Sequence, residues 1–154
     1  MWFEDIEIGS KRVLGTHTFT QDEIIAFGQK YDPQPFHVDA TAAKRSAYGG
    51  IIASGWHTVA VWMRLMVDSQ YAAGQNAMRG GVSPGFEDLR WVKPVRPGMT
   101  LTYSTEAIEK ADLKSRPELG LLKSRNEARD EYGTLYMSFI GKAFIYRKPQ
   151  GEIA

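Results

Sequence analysis

The chain has 154 residues, 43% of them apolar and 24% charged, which suits one buried core and excludes the disordered and collagen-like classes. A formal net charge of +1 gives no general attraction for nucleic acid or an anionic membrane. The lack of cysteine removes disulfides, thiolate nucleophiles and cysteine–zinc sites together.

The start, Met1-Trp2-Phe3-Glu4-Asp5, has neither the basic nor the apolar region of a signal peptide. No internal repeat, low-complexity stretch or linker divides the chain, so a single domain over residues 1–154 is expected. Lys11 to Phe19 is a strand candidate. Thr20 and Glu23 then form a capping box, in which each side chain reaches the other residue's backbone N–H. Ile24, Phe27, Gly28 and Tyr31 follow at helical spacing and predict a helix of about three turns with one apolar face. Pro33 and Pro35 end it, because proline lacks an N–H and biases its predecessor toward extended geometry. Asp39 is placed to cap a short helix through Ala42 and Arg45.

The longest apolar region, Ile51 to Val67, is broken by Ser54, Gly55, His57 and Arg64 and falls short of the ~20 apolar residues that span a bilayer. From about Ser54 to Ser69 it predicts a helix apolar nearly all round, which belongs inside a fold. Ala72 to Gly85, with four glycines, reads as a surface loop. Beyond it the period changes. Phe86 to Val92 is a weaker strand, and Met99, Leu101, Tyr103, Thr105 and Ala107 alternate with polar positions. Leu135 to Ile145 alternates over a longer run, and a turn at Tyr132-Gly133 joins it to the strand before. Helices early, strands late and one all-apolar helix predict an α+β domain whose antiparallel sheet curls around that helix.

Three histidines are available for chemistry. His17 has no polar cluster near it in the sequence and reads as a surface or satisfied histidine. His57 reads as a helix histidine bonded to backbone. His37 ends the run Tyr31-Asp32-Pro33-Gln34-Pro35-Phe36-His37, where two prolines stiffen the chain between a carboxylate and an imidazole. Such a connector can hold both groups at one water molecule at small ordering cost. Adding water across a double bond needs one group to take a proton and another to give one. The alternative is a plain Asp-Pro turn with His37 capping the loop, and residue types alone leave both readings open.

The segment from Tyr31 to Asp39 resembles the hydratase motif of the MaoC-like family, the R-specific enoyl-CoA hydratases. Ser46 to Trp56 is similar to that family's second block, and Leu89 to Gly98 to the strand and turn that follow. The resemblance implies a hot-dog fold with Asp32 and His37 as the catalytic pair. It also implies that a backbone N–H at Gly55 holds the thioester carbonyl, since helix N-termini stabilise developing negative charge. Simple helix packing would equally explain a glycine there. Two positions depart from the family pattern: Gln34 stands where Asn is usual, and Ser54 where His is usual. Arg64, Arg90, Lys93 and Arg96 are candidates to meet CoA phosphates, and none is singled out.

The function expected is reversible hydration of a 2-enoyl-CoA to the R-3-hydroxyacyl product. CoA enters as part of the substrate, and no metal or redox cofactor is expected. A hot-dog thioesterase and a non-catalytic acyl-CoA-binding subunit are the rivals. A homodimer or higher even oligomer in the cytoplasm, without nucleic-acid or membrane partners, completes the expectation.

Overall fold

The computed structural model describes residues 1–151. Six strands form one antiparallel sheet: β1 (Lys11–Thr18), β2 (Gly80–Val82), β3 (Phe86–Trp91), β4 (Thr100–Asp112), β5 (Leu119–Arg129) and β6 (Leu135–Tyr146). Their order is β1-β4-β5-β6-β2, and β3 also pairs with β6. Four helices precede most of the sheet: α1 (Gln21–Tyr31), α2 (Pro35–Val38), α3 (Ala40–Arg45) and α4 (Gly55–Ala73). The sheet wraps around α4, giving the hot-dog arrangement expected. Trp62 of α4 donates its indole N–H to Asn126 of β5 at 3.0 Å and packs edge-on against Phe139 of β6. Tyr103 of β4 donates its hydroxyl to the Thr58 carbonyl at 2.9 Å. Phe19, Ile24, Leu101, Tyr103, Met137 and Val61 share the main core, which joins α1, α4 and the sheet.

Several local readings change. The predicted loop from Ala72 to Gly85 contains the end of α4 and the short strand β2, which sits at the sheet edge against β6. Two glycines and one exposed valine leave no periodicity to read. Pro35 ends nothing. It opens α2 at a position where a missing N–H costs no hydrogen bond. Only half of the capping box forms: Thr20 accepts the Glu23 N–H at 3.2 Å, while the Glu23 carboxylate turns to His17. The Asp39 cap is as expected, accepting from Thr41 and Ala42.

Helix α4 is also less enclosed than its composition suggests. Trp56, Met63, Val67 and Tyr71 form an exposed apolar stripe at spacings of seven, four and four residues. Where α4 passes β1, Gly15 sits at a register shift with φ +152°, and a Cβ there would lie 3.1 Å from Leu65. Glycine allows both the backbone angle and the close approach. Among the described residues, no helix is long and apolar enough to cross a membrane.

Candidate active site

Helix α1 ends at Asp32, whose N–H caps the helix by donating to the Gly28 carbonyl at 2.8 Å. The chain turns, with the Gln34 N–H on the Asp32 carbonyl, and α2 begins one residue later. That sharp turn brings His37 back toward Asp32. Nε2 of His37 lies 3.2 Å from Oδ2 of Asp32. On the other side of the ring, Nδ1 is 2.6 Å from the Ile52 carbonyl. A carbonyl can only accept, so Nδ1 carries a proton and Nε2 is the nitrogen free to exchange one. The ring is buried. The Ile52 N–H donates in turn to the Phe36 carbonyl, and the Ala53 N–H to the Val95 carbonyl, so the segment leading into α4 is tied to both α2 and the sheet side.

Asp32 keeps a side-chain exposure of 19% and opens onto a cavity of about 460 Å³. Burial by itself would raise its carboxyl. The Gln34 hydrogen bond, the neighbouring Ser54 hydroxyl and the charge of His37 outweigh that and hold it below the usual carboxylate range. The Gln34 amide donates to Oδ1 at 2.8 Å, so the departure at this position supplies a contact to the carboxylate itself. Ser54 Oγ is fully buried beside the same group. Among the described residues no atom meets it in standard hydrogen-bond geometry, yet it helps to hold the carboxyl down.

The cavity also reaches the start of α4. Gly55 and Trp56 line it, and the Ser54 side chain does not cap the helix, while the His57 and Thr58 N–H groups donate to the Ser54 carbonyl. The space where a side chain at Gly55 would sit is filled by the Trp91 indole. Close packing by Trp91 therefore accounts for the missing Cβ.

A second titratable cluster escaped the sequence reading. His17 Nε2 lies 2.6 Å from Glu23 Oε1, and His57 Nε2 lies 3.9 Å from the same oxygen. His57 makes no backbone bond through its ring. It is buried, stacks on Phe27, and its Nδ1 has no partner among the described residues. The three residues come from β1, α1 and α4, so no local spacing could have announced them. Of the basic candidates, Lys93 lines the cavity that Asp32 and His37 share, Arg64 pairs with Asp68, and Arg96 donates to the Tyr48 carbonyl.

Residues 5–126 match the MaoC like domain. The chain belongs to that family. A MaoC-like dehydratase from Rhodospirillum rubrum is 34% identical, with a TM-score of 0.86 over 97% of this chain and 99% of that one. Uncharacterized protein YdeM of Bacillus subtilis is 30% identical over 122 residues, covering 79% of this chain and 82% of YdeM. An R-hydratase from Pseudomonas aeruginosa shares the fold alone, at 19% identity and a TM-score of 0.69 over 96% of this chain and 86% of that one. The MaoC-like assignment covers α1 to α4 and the first strands, the part of the chain that carries Asp32, His37 and Gly55.

Proposed function

We propose that this MaoC-like protein reversibly adds water to the C2–C3 double bond of a 2-enoyl-CoA, giving the R-3-hydroxyacyl thioester. The observation that carries the proposal is His37 itself. Its Nδ1 proton is committed to Ile52, and its Nε2 faces the Asp32 carboxylate at the wall of a cavity.

Asp32 is the base, because its surroundings favour the ionised form. It takes a proton from water as the water oxygen bonds to C3. The π electrons move onto the thioester oxygen, where the N–H groups opening α4 meet the charge. A proton on His37 Nε2 is then delivered to C2 as the enolate collapses. Asp32 returns its proton to His37 across the 3.2 Å gap, and the pair is reset. Both groups lie on one turn of chain, so water and proton add to the same face of the double bond. CoA is part of the substrate, and the steps need no metal or redox group.

The test is to mix the protein with crotonyl-CoA and follow the enoyl absorbance and free thiol together. Loss of absorbance without thiol, with R-3-hydroxybutyryl-CoA as product, is expected. Thiol release would mean a thioesterase, and an S product would mean that the substrate lies differently against Asp32 and His37.

A further inference from the structure

A second cavity, of about 370 Å³, lies toward the other end of α4. Met66, the first residue of α4 in its wall, is 11 residues beyond Gly55, about 17 Å along the helix axis. Its walls are mainly apolar: Met66 from α4, Ala107 from β4, Leu122 from β5, and Ile6 and Met78 from the flanking segments. Lys11 and Arg12 also line it, and among the described residues no aspartate or glutamate does.

Arg12 is the informative residue. One Nη donates to Ser69 Oγ at 3.1 Å, and the other lies 3.6 Å from the Met66 sulfur. These are two neutral acceptors, one of them weak, for a group with five N–H donors. Arg64, Arg125 and Arg147 each meet a carboxylate, whereas Arg12 meets none among the described residues. The Arg12 side chain is exposed, so its remaining donors are open to a ligand entering from solvent.

We propose that this cavity binds a linear aliphatic monocarboxylate, with its tail among Met66, Met78, Ile6, Ala107 and Leu122 and its carboxylate on Arg12. A guanidinium fork matches a carboxylate in shape and charge. Thioether side chains adapt to a flexible chain better than branched ones. The volume falls within the range of small-ligand pockets, roughly 300–1,000 Å³. An alcohol would leave Arg12 without a counter-charge, and a dicarboxylate would press a second charge against the methionines. The site is separate from Asp32 and His37, so the proposal stands or falls independently of hydratase activity.

Methyl-labelled methionine spectra of the full chain, titrated with decanoate, provide the test. The Met66 and Met78 methyl signals should shift and saturate. Arg12→Gln should weaken decanoate at least tenfold while leaving 1-decanol binding unchanged. Saturating crotonyl-CoA should not displace decanoate. The proposal is overturned by unmoved Met66 and Met78 signals at millimolar decanoate, by equal affinity in Arg12→Gln, or by displacement with crotonyl-CoA.

Discussion

Gly28 of α1 packs directly beneath His37 of α2: a Cβ at Gly28 would lie 3.1 Å from His37 Cβ and 2.9 Å from a Val38 methyl. The helix that ends at Asp32 is thus the seat of the helix that carries its partner. Gly28→Ala should push α2 away and widen the Asp32–His37 separation without removing either group. Misplacement by about 1 Å can cost ~10² in rate. A large fall in crotonyl-CoA turnover is expected, with a smaller change in melting temperature because alanine favours the helix by about 1 kcal/mol. Unchanged turnover would show that the site absorbs the methyl.

Asp32→Asn keeps the size and one acceptor oxygen but cannot take a proton. Turnover should fall by ~10²–10⁴. Because the folded state holds the Asp32 carboxyl low, its contribution to stability is present above the unfolded value of about 3.9 and is lost as pH falls through the folded one. Any melting-temperature gap between wild type and Asp32→Asn should therefore narrow below about pH 4. Thermal melts across pH 3 to 7, with kinetics on the same preparations, check both. A mutant that retains most of its turnover would remove Asp32 from the mechanism.

His57 points to a second pH effect of the opposite residue type. Burial lowers its pKa, with Glu23 opposing and His17 adding to the shift. Its folded pKa lies below the unfolded value of about 6.5, so unfolding takes up a proton on acidification. Stability should be fully present above that value and fall as pH drops through it toward the folded pKa, by at most ~1.4 kcal/mol per pH unit. Denaturant midpoints between pH 7 and 5 should show this slope, and His57→Gln should flatten it. An equal slope in the variant would assign the effect to other groups.

At Gly55, an added methyl falls inside the Trp91 indole. Gly55→Ala must displace that ring, which itself packs edge-on against Trp56 with centroids 5.2 Å apart. A loss of about 1–3 kcal/mol in stability is expected, with a shift in tryptophan emission. Unaltered emission and stability would mean that Trp91 moves freely, and the packing account of Gly55 would fail.

The apolar stripe of Trp56, Met63, Val67 and Tyr71 on α4 calls for a cover, and we propose a second copy of the chain. Sedimentation at micromolar concentration should show no major monomer, and Met63→Glu should shift the distribution toward it. A wild-type monomer across that range would contradict the proposal.

The helix through Ile24, Phe27 and Gly28, the cap at Asp39, the strand of Leu101, Tyr103 and Thr105 and the wrap of sheet around helix were all legible in the sequence. Each rests on local periodicity or on a cap within three residues, and burial then follows from which face is apolar. Asp32 and His37 were legible as neighbours because one short segment carries both, while their reading as a catalytic pair came from the family resemblance. What tertiary structure decided lies in contacts between distant parts of the chain. Ile52 selects the protonated nitrogen of His37, Trp91 fills the space over Gly55, and Glu23 leaves its capping role for histidines on two other elements. Arg12 meets α4 57 residues away at Ser69, and among the described residues it has no carboxylate partner. Hydrogen bonds and close packing act over a few ångströms, so their partners are set by how the elements come together, which no local spacing records.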